Sequence, residues 1–267
     1  MKHPSEVVPN DVLRWRDRLR SQKKGAATVA FKLSVVRSFF EYLKAAAAVP
    51  LDPASTKLVS PPEPASEPSG RALSAKEARY LLAGPDREKP GGARDYALML
   101  VMLRLSLRVS AVCSLRASSV KWSHGRRTLR CRVKGGREEV WPLPKEVKEA
   151  IGGYLRLDRR RRETAHSGGE HAYLFQPVTN YRTLDFDEPL STRMVQKIVK
   201  KWADYSRLCD LSPQDLRRTA MTRALDSGLT YRQVQMMSKH RDPKTVMRYD
   251  HGRENLDQSA VNFLGYD

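Results

Sequence analysis

Five ionisable residues, far apart in the chain, are of the types that metal-free phosphodiester chemistry requires. They are Arg108, Lys134, Arg217, His240 and Tyr249. Two guanidinium groups can hold a phosphate, because their planar forks match its oxygens, and a tyrosine can attack phosphorus as a nucleophile. A lysine and a histidine can move the protons that the transfer requires. Each residue alone also has an ordinary explanation, such as a helix-end charge or a core residue with a solvated tip.

The first two of these residues are expected at the ends of regular elements. Arg108 follows a long apolar helix predicted from about 93 to 107, and Ser110 is predicted to cap the next helix. Lys134 lies at the tip of a β-hairpin predicted over 128–141, where apolar residues alternate with arginines before a Gly-Gly turn. The hairpin therefore has one basic face.

The other three residues are expected on consecutive helices near the C-terminus. Arg217 follows the Ser-Pro start of a helix, where free N–H groups favour an anion. His240 ends the next helix, and Tyr249 lies on a short helix shortly afterwards. The three helices are predicted over 213–226, 231–240 and 243–250.

The remaining patterns predict two helical regions joined by a linker. Helical spacing begins at Asp11 and resumes over 27–48, whereas 50–72 is rich in Pro and Ser and forms the linker. A Ser-x-x-Glu capping box at Ser74 opens the second region. Further helices are predicted over 145–162, 192–207 and 256–264. The expected fold is mainly α with a small β-hairpin or sheet, an α+β domain preceded by an all-α domain.

The charge of the chain indicates a polyanionic partner. It has 267 residues, 49 Lys+Arg and 30 Asp+Glu, which gives a net charge of +19. Such a charge is typical of a nucleic-acid-binding protein, but it also occurs in proteins of anionic membrane surfaces or in solvated basic proteins. Because the charge is spread along helical patterns, a folded surface for DNA or RNA is favoured. No apolar run of membrane-spanning length and no signal peptide is evident, so we expect a cytoplasmic protein.

The cysteines do not indicate a metal site or a disulfide framework. Cys113, Cys131 and Cys209 have spacings that match neither. We expect buried or unreactive thiols, and no metal or cofactor. The four consecutive arginines of 159–162 are either a phosphate grip or a solvated helix end.

Four motifs in order resemble those of the tyrosine recombinase, or phage integrase, family. They are Leu107-Arg108-Val109-Ser110, Val133-Lys134-Gly135-Gly136, Asp215-Leu216-Arg217-Arg218-Thr219, and His240 with Tyr249-Asp250-His251. The resemblance runs from about Ser74 to the end, and any one motif alone is weak. It implies a catalytic domain at 73–267, whose tail helix docks on a neighbouring protomer; the alternative is that the tail packs on its own domain.

The upstream residues resemble the core-binding domain of the same family. Residues 27–30 and 33–43 are similar to its later helices. Only about ten residues precede Asp11, so the resemblance implies either a shortened, SAM-like helical DNA-binding domain at 1–49 or a sequence start downstream of the true one.

The resemblance implies a reaction and a role for each residue. Tyr249 attacks a DNA phosphodiester to give a 3′-phosphotyrosyl link, while Arg108 and Arg217 hold the phosphate. Lys134 protonates the departing 5′-oxygen, and His240 hydrogen-bonds the phosphate and orients or deprotonates Tyr249. The implied partner is double-stranded DNA, held by a homotetramer on paired sites, and no cofactor takes part. The resemblance does not identify the recognition sequence, or whether the enzyme serves a mobile element or a replicon.

Three positions depart from the family pattern. Gln214 stands where the family has a histidine that acts as a base, and an amide cannot take a proton at neutral pH. Ala111 replaces an acidic residue, and Ser238-Lys239 replace Leu-Gly before His240. We therefore predict slower cleavage than in the family. The alternatives are a DNA-binding accessory factor with weak catalysis and, less favoured because no RNA-module signature is present, an RNA-binding protein.

Overall fold

The chain forms two compact units, Met1–Pro68 and Ser69–Asp267. The computed structural model describes residues 3–62, 70–123, 125–132, 136–157, 172–177, 188–208, 210–250 and 260–263. Helices dominate both units, and the second also contains a three-stranded antiparallel sheet. The predicted fold class, mainly α with a small sheet, is confirmed.

The first unit is built on two helices, α1 (Pro9–Ser21) and α2 (Ala26–Ala45), after a 3-10 turn at Pro4–Glu6. Their buried apolar residues form one core. Part of the segment predicted as a linker joins this core, since Ala54 and Val59 are fully buried. Arg37 of α2 fixes that segment, because its guanidinium donates to the carbonyl oxygens of both residues at 2.9 and 3.2 Å.

The second unit places one apolar helix at its centre. Its helices are α3 (Ala75–Ala83), α4 (Pro90–Leu105), α5 (Val109–Ser114), α6 (Lys145–Leu157), α7 (Thr192–Tyr205), α8 (Pro213–Asp226), α9 (Tyr231–Ser238) and α10 (Pro243–Met247). Most of α4 is buried, which fits its lack of a polar face. It contacts α6 and α8 extensively. A buried ion pair on α4 joins Arg94 to Asp95 at 2.6 Å, and the Trp202 indole donates to the same carboxylate at 2.8 Å.

The sheet has the order β1 (Val120–Ser123), β2 (Arg126–Arg132) and β3 (Glu138–Pro142). The two predicted hairpin strands are present as β2 and β3, with Leu129 opposite Trp141. Strand β1 was not predicted, because a segment of four residues with an exposed Trp122 is too short to show an alternating apolar pattern. The strand exists because its backbone pairs with β2.

Several predicted helix ends were two or three residues too long. Helix α4 ends at Leu105 because Ser106 adopts φ 52°, and α9 ends at Ser238 because Lys239 adopts φ 55°. Each left-handed residue still donates its N–H to the carbonyl four residues earlier, at 3.0 Å for Ser106 and 2.8 Å for Lys239, and its φ then turns the chain out of the helix. Helix α7 ends at Tyr205 and α10 at Met247.

One predicted helix cap was wrong, one predicted helix is only partly described, and one arginine cluster is not described at all. Arg108 occupies the N-cap position of α5, so Ser110 lies inside that helix. Within the predicted tail helix, residues 260–263 form a 3-10 turn, and the rest lies outside the described residues. The arginines of 159–162 also lie outside them.

The two described cysteines are free, buried thiols. Burial raises the pKa of Cys113 to about 11, and it also raises the pKa of Cys131. Both thiols are therefore protonated at neutral pH and poorly reactive. Cys209 lies outside the described residues.

Candidate active site

The first turn of α8 is fixed by its sequence. Ser212 accepts a hydrogen bond from the backbone N–H of Asp215 at 3.3 Å, and the Asp215 carboxylate accepts one from the Ser212 N–H at 2.9 Å. This reciprocal cap, followed by Pro213 at the first helical position, defines where the helix starts. It thereby sets which face of α8 carries Arg217.

Arg217 is the buried cation of the site, with 2% of its surface exposed. Its guanidinium donates from Nη1 to the Ser106 carbonyl, and from Nη2 to the Ser238 carbonyl at 2.9 Å. The same Nη2 lies 2.9 Å from Nε2 of His240. Arg217 thus joins the ends of α4 and α9 to the histidine.

The environment of Arg217 disfavours its charge. Burial is the main cause that lowers the pKa of Arg217 to about 10, and the nearby positive charge of Arg108 adds to it. The guanidinium remains protonated at neutral pH, so the site holds a cation without a carboxylate partner among the described residues. A bound anion would be stabilised there.

His240 is neutral at physiological pH. Desolvation, followed by the charges of Arg217 and Arg108, lowers the pKa of His240 to about 4. Its Nδ1 lies 2.9 Å from the hydroxyl oxygen of Ser238. Both ring nitrogens of His240 therefore have protein partners.

Tyr249 packs beside the histidine. The two rings are nearly parallel, with centroids 6.4 Å apart and an interplanar angle of 17°. Only 6% of Tyr249 is exposed, and its backbone carbonyl accepts a hydrogen bond from the Thr222 hydroxyl at 3.2 Å. The guanidinium of Arg218 lies 5.5 Å from the Tyr249 ring centre. Helix α8 thus holds the tyrosine through both backbone and ring.

A cavity of about 430 Å³ lies beside Arg217. Arg108, which is exposed, and Arg217 both line it, as does Ala111, the position where the family pattern has an acid. Arg132 of β2 and Lys239 add two further cations to its lining. The remaining lining residues are Leu107, Ser110, Ser114, Trp141 and Ser238. The cavity has the charge and the chemistry for a phosphate.

The strand β3 supports the loop that precedes His240. The Trp141 indole donates to the Met237 carbonyl at 2.6 Å, and the Lys239 ammonium lies 5.3 Å from the Trp141 ring centre. The same ammonium is 3.6 Å from the Glu139 carboxylate. The residue that replaces glycine before His240 therefore makes contacts of its own.

The structure brings four of the predicted site residues together. Arg108, Arg217, His240 and Tyr249 surround the cavity or contact each other. Gln214 is exposed in the first turn of α8, and no hydrogen bond joins it to another described residue. Lys134 lies outside the described residues.

Two serines contribute to the site in ways that the sequence did not predict. Ser106 supplies a carbonyl to Arg217, and only its left-handed φ signals a special position. Ser238 was recognised as a departure from the family pattern, but its two contacts with the site were not foreseen.

The described residues form neither a metal-binding cluster nor a membrane-spanning helix. Within that part of the chain, no three His, Cys, Asp or Glu side chains lie close enough together to hold a metal ion. Likewise, none of the helices described here has the length and apolarity needed to cross a membrane.

Comparison with known proteins identifies relatives over most of the chain. The family model described as "Phage integrase family" matches residues 71–255. The tyrosine recombinase XerD of Xanthomonas axonopodis pv. citri (strain 306) is 31% identical over 246 residues, covering 90% of this chain and 75% of that protein. The tyrosine recombinase XerC of Roseiflexus sp. (strain RS-1) is 29% identical over 247 residues, covering 92% and 75%.

Solved structures show the same fold. The crystal structure of the XerH site-specific recombinase bound to palindromic difH substrate, a post-cleavage complex, gives a TM-score of 0.72 at 14% identity, and the match covers 97% of this chain and 73% of that chain. The crystal structure of XerA recombinase gives 0.54 at 23% identity, with 98% and 83% covered. The predicted enzyme class, a tyrosine-type site-specific recombinase, is confirmed by the family match and these relatives. The chain belongs to the phage integrase family.

Proposed function

We propose that this recombinase cleaves and rejoins double-stranded DNA with Tyr249 as its nucleophile. The observation that carries the proposal is the position of His240, which contacts buried Arg217 and stacks on Tyr249. In the proposed step the tyrosine oxygen bonds to phosphorus and the 5′-oxygen leaves. The covalent intermediate conserves the energy of the phosphodiester, so the reaction needs no ATP.

Arg108 and Arg217 are proposed to hold the scissile phosphate from two sides. Arg217 already uses three N–H groups on Ser106, Ser238 and His240. A guanidinium has five, so two remain that have no partner among the described residues. Arg108 is exposed at the cavity and forms no ion pair within the same described part of the chain. Both can therefore donate to phosphate oxygens as negative charge grows in the transition state.

Proton transfer is proposed to involve Lys134, His240 and Gln214. Lys134 would protonate the departing 5′-oxygen; it follows β2, whose last described residue, Arg132, lines the cavity. His240, which is neutral, would help Tyr249 to lose its proton. Gln214 has an amide, so its role is limited to a hydrogen bond with the phosphate.

The charge of the chain supports DNA as the partner. Solved structures of the related Tn1549 transposon integrase are complexes with circular intermediate DNA, and a net charge of +19 suits the same partner here. We propose that residues 1–49 form a core-binding domain, that 73–267 form the catalytic domain, and that four copies act on two paired sites. The segment 256–264 would then dock on a neighbouring copy.

A second candidate is an accessory factor that binds DNA but cleaves it poorly. Gln214 favours it, because the base expected at that position is missing and the amide lies exposed, without a hydrogen bond to any described residue. The contacts among Arg217, His240 and Tyr249 oppose it.

Covalent trapping distinguishes the two candidates. The protein would be incubated with DNA that carries its own flanking sequences, without metal or ATP, and then denatured in detergent. A covalent band from the wild type that is lost in Tyr249→Phe supports the recombinase, and sequencing the attached DNA reveals the site. Salt-sensitive binding without any band supports the accessory factor.

A further inference from the structure

Ser238, the last residue of α9, contacts the site in two independent ways. It is 1% exposed, and its carbonyl accepts a hydrogen bond from Arg217 Nη2 at 2.9 Å. Its hydroxyl oxygen lies 2.9 Å from Nδ1 of His240 and 3.5 Å from the Gln235 carbonyl. Any residue type at position 238 could supply the backbone carbonyl to Arg217, whereas the contact with the histidine requires a side-chain hydroxyl.

The hydrogen bonds of His240 define which nitrogen carries the proton. A guanidinium can only donate, so the 2.9 Å contact with Arg217 requires Nε2 to be the acceptor. A neutral imidazole then carries its hydrogen on Nδ1, which points at the Ser238 oxygen. The Ser238 hydroxyl can in turn donate to the Gln235 carbonyl. The three contacts form one chain with a consistent direction.

We propose that Ser238 is a positioning residue that holds His240 as the Nδ1–H tautomer and so keeps Nε2 a proton acceptor for Tyr249. The inference rests on the proposed roles of Tyr249 and His240. It distinguishes between two uses of the histidine, because a donor to the phosphate would need its hydrogen on Nε2. It also supplies a proton acceptor that the amide of Gln214 cannot provide.

The proton balance of the step is complete. The Tyr249 oxygen bonds to phosphorus as the bond to the 5′-oxygen breaks; the tyrosine proton moves to Nε2 of His240, and Lys134 gives a proton to the 5′-oxygen. For Nε2 to be reached, Arg217 must turn its N–H from the histidine to the phosphate. The imidazolium formed keeps its Nδ1–H on Ser238.

Several charges surround the histidine and set when it can accept the proton. Arg217 faces it from α8 and Arg108 from the start of α5, and both disfavour an imidazolium. Lys239, next to it, is paired with Glu139 of β3. The negative charge of a bound phosphate would offset the two arginines, so the acceptor strengthens when DNA is present.

NMR tests the tautomer directly. The full chain with ¹⁵N-labelled histidine rings is measured at pH 7 for wild type, Ser238→Ala, Ser238→Thr and the control Ser227→Ala. Ser227 also sits at a helix end with its hydroxyl on a backbone carbonyl, but it is exposed and away from His240. We expect a protonated Nδ1 and an unprotonated Nε2 at His240 in wild type, Ser238→Thr and Ser227→Ala. Ser238→Ala should give shifts averaged between the two tautomers.

Single-turnover trapping tests the consequence. At saturating DNA, Ser238→Ala should form the phosphotyrosyl adduct about tenfold more slowly than wild type, because general-base transfer depends on the position of the acceptor. DNA affinity should be unchanged, and Ser238→Thr should restore the rate.

The outcomes separate this inference from the proposed function. A wild-type His240 protonated on Nε2, or equal cleavage rates for Ser238→Ala and wild type, would overturn the inference. An absent adduct in wild type would instead overturn Tyr249 as the nucleophile, and with it the acceptor role of His240. In that case the ring resonances still decide whether Ser238 sets the tautomer.

Discussion

Replacement of Arg217 by methionine tests the central contact of the site. The variant removes three hydrogen bonds, to Ser106, Ser238 and His240, and keeps a flexible apolar side chain in the space. Hydrogen bonds that involve a charged group contribute about 1.5–3 kcal/mol each, so their loss costs roughly 5–9 kcal/mol.

The buried charge offsets part of this loss. At neutral pH the guanidinium is protonated in both the folded and the unfolded chain. Because burial lowers the pKa of Arg217 to about 10, the folded state binds this proton less tightly. That difference destabilises the folded state by roughly 3 kcal/mol, a term that the variant lacks. We therefore expect Arg217→Met to lower the free energy of unfolding by about 4 kcal/mol.

Activity should fall much further than stability alone would cause. A lost transition-state donor typically reduces the rate by about 10²–10³-fold. The assay is single-turnover adduct formation at saturating DNA, with urea unfolding in parallel to establish that the variant is folded. Arg223→Met, on the same helix but outside the site, is the matched control. A folded Arg217→Met that cleaves within tenfold of wild type, or that is as stable as wild type, would refute the reasoning.

Four further changes have defined outcomes. Lys239→Gly should be about 1 kcal/mol more stable in urea unfolding than Lys239→Ala, because both variants lose the ammonium and only glycine adopts φ 55° without backbone strain. Equal stabilities would argue against a left-handed backbone at position 239. Asp95→Ala should lower the unfolding free energy by about 3 kcal/mol, because it leaves Arg94 buried and unpaired, and a loss below 1 kcal/mol would contradict this. Gln214→His should cleave faster than wild type in the trapping assay, and an unchanged rate would show that no base is missing there. In the folded protein the pKa of His240 is lowered to about 4, so the unfolded chain takes up this proton first as the pH falls. The free energy of unfolding should therefore decrease between about pH 6.5 and 4. We expect this decrease to be about 2 kcal/mol larger in wild type than in His240→Gln.

Local signals in the sequence predicted the scaffold of the site well. The Ser-Pro start of α8 was predicted at the residue where the helix begins, because a cap and a proline act within one turn. The capping box at Ser74 is also present, with both of its hydrogen bonds formed. The strands β2 and β3 were predicted from alternation and the turn between them, whereas β1 depends on pairing with a neighbour.

The sequence by itself determined the family, the helical fold and the residue types of the site, because these follow from ordered motifs and local periodicity. Only the tertiary structure decided the burial, the protonation and the tautomer of these side chains. Arg217 is buried and His240 neutral because α8, α9 and the end of α4 meet there and exclude water. The hydrogen bond between Ser238 and His240 likewise depends on the left-handed turn at Lys239, which the residue types alone do not predict. A pKa and a tautomer depend on everything within a few ångströms of a group, and in this site those neighbours come from distant parts of the chain.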